Sequence, residues 1–207
     1  LLYIPKSHTS DTRPLEIVFL DVGQGDGAVM ISPERDDGEA VIVIDAGDSK
    51  NVHDFLVKRF KPYKKQFQFH AAVLTHPDED HYNGFSYIFS EDAFGFEVVY
   101  HNGLVERPVR GTFEKVGGKS DKLSNNRAYV TDLAIHKSDI ESLFSAGTDT
   151  GNFLFPQLMK AALANKNIKD IRILSTHHGT KEGSTAWMPG FAPSDGRDYC
   201  IEVLGPV

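Results

Sequence analysis

Apolar runs at Ile17 to Leu20, Ala28 to Ile31, Val41 to Ile44 and Ala71 to Leu74 have the length of strands rather than helices. The last is apolar at every position, as in a strand covered on both faces. Gly23, Gly25 and Gly27 separate the first two runs and permit the positive φ values of a tight turn, so these runs predict a hairpin. Between the third and fourth runs, Val52, Phe55, Leu56 and Phe60 recur at helical spacing, predicting a helix over Asn51 to Phe60 with Asn51 as its cap. A helix around Tyr82 to Phe89 and a strand at Phe96 to Tyr100 follow. The order β-β-β-α-β-α-β implies an α/β (α+β) fold in which helices cover a sheet.

The chemistry concentrates just after the fourth run, in Leu74-Thr75-His76-Pro77-Asp78-Glu79-Asp80-His81. Strand ends in α/β folds open into the loops where sites are built. His76, Asp78 and Asp80 alternate with other residues and can turn toward one point, and His81 follows at the start of a helix. Imidazole nitrogen and carboxylate oxygen together suit zinc, manganese or iron, so His76, Asp78, Asp80 and His81 are candidate ligands for one divalent ion or for two. The bland alternative is a solvated turn with Asp80 capping the next helix, but a turn needs only one or two polar residues. Asp45, at the end of the third strand, either orients a ligating histidine by a hydrogen bond or forms a turn before Ala46-Gly47. His101 and Asn102 end the strand after the motif on the same sheet edge and could reach the site. The Gly-rich turn lacks a Gly-Lys-Ser/Thr ending and leads into a strand, which argues against a nucleotide P-loop.

His76-Pro77-Asp78-Glu79-Asp80-His81 resembles the metal motif of the metallo-β-lactamase superfamily, whose commonest form has His where Asp78 stands. The Asp version is similar to that of the metallohydrolase domains of competence-type DNA-uptake proteins and their soluble relatives. Phe19-Leu20-Asp21-Val22-Gly23-Gln24-Gly25-Asp26-Gly27 and Val43-Ile44-Asp45-Ala46-Gly47 agree in order and spacing, so the resemblance covers residues 15 to 105. It implies an αββα sandwich whose first half is clearly present. It also implies a metal-dependent hydrolase, with one or two zinc or manganese ions activating water against phosphodiesters of nucleic acid or nucleotides, and with Asp80 orienting that water. The alternative is a degenerate binding or regulatory module of a larger, multidomain protein.

The second half departs from that pattern. Ile171-Arg172-Ile173-Leu174-Ser175-Thr176-His177-His178-Gly179-Thr180 is similar to the His-His-Gly signature of the competence-type group, and Gly147-Thr148-Asp149 resembles a degenerate form of its Gly-Asp. Where both are genuine, Asp149 bridges two metals and His177 or His178 completes the second. Thr131 to Phe144, however, reads as loop and helix where a strand should lead to the Asp. The expectation is therefore one domain over 1–207, with Asp149, His177 and His178 in an insertion or divergent second half spanning 106–200. Ile201 to Leu204 forms a final strand that must pair with a neighbour, and His177 and His178 stay outside ligand distance of the ion at His76 and His81. The absence of Met at Leu1 is consistent with a fragment.

Composition sets limits. The chain of 207 residues, 40% apolar and 25% charged, fits one soluble globular domain, expected to be cytoplasmic. No apolar run approaches the roughly 18 residues that span a membrane. One cysteine, Cys200, excludes an internal disulfide framework and leaves a metal site to nitrogen and oxygen ligands. The net charge of −7 gives no global attraction to nucleic acid. Lys58, Arg59, Lys61, Lys64 and Lys65, interleaved with Phe60, Tyr63 and Phe67, form the best basic cluster. It precedes the fourth strand whereas the motif follows it, a separation of roughly 13 Å or more, so the cluster reads as a solvated helix end.

Overall fold

A computed structural model describes residues 14–33, 38–61, 66–111, 113–120, 127–145 and 147–205. Strands β1 (Glu16–Phe19), β2 (Gly27–Pro33), β3 (Glu39–Ala46), β4 (Phe67–Val73), β5 (Phe94–His101) and β6 (Ile168–Ile173) form a six-stranded sheet in chain order. β1, β2 and β3 pair antiparallel, whereas β3 to β6 run parallel. The fold is thus a mixed α/β arrangement on a mixed sheet. β1 and β2 form the hairpin expected from the Gly-rich turn, with Ile17 opposite Met30.

Parallel neighbours need crossovers, and these carry the helices. α1 (Asn51–Phe60) joins β3 to β4, α2 (Glu79–Tyr82) and α3 (Phe85–Phe89) join β4 to β5, and α4 (Lys137–Phe144) and α5 (Leu154–Ala164) join β5 to β6. Right-handed crossovers between sequential strands place all these helices on one face. α1 shows why the pattern works: Val52, Leu56 and Phe60 recur every fourth residue and are buried against that face. The core there is aromatic, with Phe60, Phe69, Phe94 and Phe96 in contact. Asn165, buried at the end of α5, donates through Nδ2 to the carbonyls of Phe89 and Phe94 at 3.0 Å and locks α5 to the α3–β5 turn.

The opposite face is covered over part of its area by the C-terminal region, where Ala186, Met188, Phe191 and Val203 pack on Met30, Ile42, Ala71, Val98 and Tyr100. Here β7 (Thr180–Glu182) and β8 (Thr185–Trp187) form a two-stranded sheet. Ile201 to Leu204 joins it: Met188 N–H donates to the Ile201 carbonyl and Val203 N–H to that of Ala186, both at 2.8 Å. The strand expected at Ile201 to Leu204 is thus reduced to an isolated bridge between Glu202 and Trp187, on the small sheet rather than the large one.

Several boundaries differ from the sequence reading. β4 begins at Phe67, because Phe67 and Phe69 alternate with polar neighbours and still bury on the helix side. Asn51 is the first helical residue, not the cap; its Nδ2 donates to the Asp21 carbonyl at 2.6 Å, tying α1 to the β1–β2 turn. The predicted helix at 82–89 is divided at Asn83-Gly84 into α2 and α3, and Gly84 passes so close to the Ala46 carbonyl that a Cβ would lie 2.1 Å from it. The region 106–200, expected to be an insertion or a divergent second half, contributes a strand to the main sheet. β6 lies within it and pairs with β5, with Val99 opposite Ile171.

Of the basic cluster, Arg59 faces Glu39 at 3.4 Å and Lys61 faces Glu91 at 3.1 Å, so both are engaged in ion pairs. Tyr63, Lys64 and Lys65 lie outside the described residues. Among the described residues, no helix is long and apolar enough to cross a membrane.

Candidate metal centre

Because β3 to β6 are parallel, their C-terminal ends meet at one sheet edge. Ile44 pairs with Val73, Val73 with Tyr100, and His101 with Ile173, which brings Asp45, Thr75-His76, His101-Asn102 and Ser175 onward to a common rim. On that rim Asp45, His76 and His81 each place one ligand atom within 4.8 Å of the others, a group that could hold a metal ion.

Hydrogen bonds fix the protonation of both imidazoles. The Asp45 carboxylate accepts the Thr75 N–H at 2.9 Å on Oδ1 and the Thr75 hydroxyl at 2.6 Å on Oδ2. Since the threonine hydroxyl donates to the carboxylate, its oxygen is left to accept from His76 Nδ1, 2.9 Å away. His81 Nδ1 likewise stands 2.9 Å from Asp45 Oδ2. Both rings therefore carry their proton on Nδ1 and offer the Nε2 lone pair, the arrangement in which an outer carboxylate orients metal-binding histidines. The rings lie with centroids 3.8 Å apart.

His81 is raised above the ordinary histidine value. Burial acts to lower it, and the hydrogen bond to Asp45, with the charges of Asp45, Asp80 and Asp26, outweighs that burial. Protons and a metal ion thus compete for this ring.

The motif's carboxylates are placed differently from its histidines. Asp78 is exposed at the N-cap position of α2 without a side-chain capping bond, and its Oδ2 lies 3.5 Å from His76 Nε2. Two ligands at roughly 2.0–2.2 Å from one ion can adopt that separation. Asp80 is inside α2 rather than capping it, and its Oδ2 accepts from Gln24 Nε2 at 3.4 Å. Neither is within the group formed by Asp45, His76 and His81. The donor set is nitrogen and carboxylate oxygen, with Cys200 exposed on a different segment, so it fits a borderline or hard divalent ion.

The Gly-rich β1–β2 turn packs onto the motif. Gly25 has φ +83, and a Cβ there would lie 1.6 Å from the Asp80 carbonyl oxygen, so only glycine fits. The same turn brings Asp26 Oδ2 to 3.9 Å from His81 Nδ1. Thr75, Gln24 and Asp26 escaped the sequence reading as site residues; the signal available was the Gly-Gln-Gly-Asp-Gly run itself, whose glycines mark close backbone approach.

Asp149, His177 and His178 do not join the group. Asp149 Oδ1 closes a local turn by accepting the Gly151 N–H at 2.9 Å. His178 Nδ1 contacts Ser175 Oγ at 2.7 Å and His177 Nδ1 contacts Thr176 Oγ1 at 3.4 Å, both within the loop after β6. His101 is buried at the rim, where its Nδ1 accepts the Gly103 N–H at 3.0 Å. Its Nε2 has no partner among the described residues, and burial pushes its pKa down to about 4. Asn102 accepts the Leu104 N–H at 3.0 Å. A cavity of about 340 Å³ opens beside Thr75, lined by Val73, Leu74, Tyr100, His101, Asn102 and Leu174.

In comparisons with protein-family models, curated proteins and solved structures, the chain matches none of them.

Proposed function

We propose that the chain is a metal-dependent hydrolase, and that its helix-covered sheet corresponds to the motif-bearing half of a metallo-β-lactamase-type αββα sandwich. The observation that carries this reading is the paired fixation of His76 and His81, each held through Nδ1 and with their ring centroids 3.8 Å apart beside Asp45. His76, His81 and Asp78 would hold the ion, and Asp45 would orient His81 from behind.

A divalent ion, zinc or manganese, would there acidify a bound water, to a pKa of roughly 7 in the case of zinc, and polarise a phosphoryl or acyl oxygen. Asp80, anchored by Gln24, would accept a hydrogen bond from the attacking water and direct it. The cavity beside Thr75 would seat the substrate next to the reacting atoms. The resemblance to competence-type domains favours phosphodiesters, in nucleic acid or nucleotides, over β-lactams.

One observation favours a second reading, a binding or regulatory module that keeps the first motif: Asp149, His177 and His178 lie outside the group that would form one centre. Replacing Asp80 and His81 together by Ala tests the first reading. Loss of hydrolysis of a simple phosphodiester, with circular dichroism unchanged, supports it. Unchanged turnover in the double variant refutes it, and a metal-loaded wild-type chain without turnover favours the module.

A further inference from the structure

α2 is a single turn of four residues, too short to hold its own orientation, yet it carries Asp80 and His81. Tyr82, next in sequence, is buried with its ring edge-on to Phe155 of α5, centroids 5.1 Å apart. A buried hydroxyl without an acceptor is costly, and this one donates to Glu106 Oε2 at 3.3 Å. Glu106 is itself buried, so its carboxylate requires a cation. Lys115 supplies it, with Nζ 2.6 Å from Oε1.

Glu106 and Lys115 belong to the long excursion 102–136 between β5 and α4, which holds no helix or strand among the described residues beyond an isolated bridge at Lys119 and Val130. The excursion is braced where they stand: the Arg107 N–H donates to the Lys115 carbonyl at 2.6 Å, and Arg107 Nη1 meets Asp132 at 2.7 Å. Asn83 and Gly84, by contrast, tie α2 to the β3–α1 turn through Asp48 and Gly47. α2 is therefore clamped from two sides, and the Tyr82 side ends on a charge pair far from the metal candidates in sequence.

We infer that Tyr82, Glu106 and Lys115 form a brace that sets the orientation of His81, with Glu106 as the positioning residue through which the 102–136 excursion governs metal affinity. This rests on the metal-centre reading. Removing the Tyr82 hydroxyl, or the cation that holds Glu106 in place, frees α2 to rotate and moves the His81 ring while its bond to Asp45 survives.

The test is a calorimetric titration of the full chain with Mn²⁺, alongside circular dichroism and thermal melting of the metal-free protein. Tyr82→Phe keeps the ring on Phe155 and removes the hydroxyl. Lys115→Met removes the cation from a partly exposed position. Both variants are expected to stay folded and bind Mn²⁺ roughly three- to tenfold more weakly, a smaller loss than follows removal of a ligand's direct partner. Unchanged affinity in both, whatever happens to the melting temperature, overturns the inference, because a purely structural brace alters stability alone. Should Tyr82→Phe fail to fold, Lys115→Met decides. Wild-type protein that takes up neither Mn²⁺ nor Zn²⁺ overturns the metal-centre reading and this inference with it, a failure seen before any variant is compared.

Discussion

Asp45 at the end of β3 holds His81 of α2 through a 2.9 Å contact between Oδ2 and Nδ1. To do so Asp45 adopts φ +49, and among the described residues it is the non-glycine residue found in the left-handed region. Backbone strain of this kind concentrates where surrounding structure over-determines a functional side chain. The carboxylate receives the Thr75 N–H, the Thr75 hydroxyl and His81, so one strained residue gathers three donors from the motif.

Asp45→Asn should preserve the fold, since Asn also tolerates the left-handed region. It removes the anion behind His81, and metal affinity should fall by roughly ten- to hundredfold. Asp45→Ala should lose affinity and also about 1–2 kcal/mol of stability from the backbone. Metal titration and thermal melting check both; an Asn variant that binds metal as tightly as wild type would contradict the role given to Asp45.

Asp78 makes the motif harder and more negative than a histidine would, which favours manganese relative to zinc. Metal-free protein reconstituted with Mn²⁺ should be at least as active as with Zn²⁺, and Asp78→His should shift that preference toward Zn²⁺. Activity with zinc alone and none with manganese would speak against Asp78 as a ligand.

Gly23 and Gly25 have the same backbone conformation, φ +81 and +83, but different surroundings. A Cβ on Gly23 meets nothing within 4 Å, so Gly23→Ala should cost only the backbone term, about 1–2 kcal/mol. On Gly25 it would collide with the Asp80 carbonyl, so Gly25→Ala should cost about 3–5 kcal/mol or displace the motif loop. Denaturant unfolding of the two variants measures the difference, and equal losses would mean the turn does not press on the motif.

His101 gives a pH prediction. Burial lowers its pKa in the folded chain to about 4, against an unfolded value of 6.5. Between those values the unfolded state binds the extra proton, so stability is complete above about pH 6.5, declines as pH falls, and has lost up to about 3 kcal/mol by pH 4. Urea unfolding across that window should show the slope, and His101→Asn should flatten it. A profile identical to wild type in that variant would remove His101 as the cause.

Much of the first half of the chain was legible because β1, β2, β3 and the latter part of β4 are compact apolar runs and the β1–β2 turn is marked by glycines. His76 and His81 were legible for the same reason, as a cluster with no business in an ordinary turn. Other features were hidden. Phe67 and Phe69 belong to β4 although Gln68 and His70 interrupt the apolar pattern, because alternation rather than a continuous run serves the end of a strand whose second face is only half-buried. β6 was obscured by Lys169, Asp170 and Arg172, which ion pairs accommodate on its more open positions. Thr75 could not be distinguished from a spacer, since its role depends on a carboxylate thirty positions upstream. Glu106 reads as a surface residue until Tyr82 and Lys115 are seen against it.

The in-order arrangement of the sheet has a consequence for how the chain is made. β2 through β5 each pair with the strand just before them, so these contacts close as soon as each segment is synthesised, whereas pairing Val99 with Ile171 waits for the whole excursion and two further helices. Asp45, His76 and His81 all belong to the early portion. The cover over Tyr82, Phe85 and Phe89 does not, for Phe155, Leu158 and Met159 of α5 arrive later. A chain still emerging between residues 102 and 154 therefore carries its metal candidates on a sheet whose helices show a bare aromatic flank, a state open to aggregation and to chaperone capture.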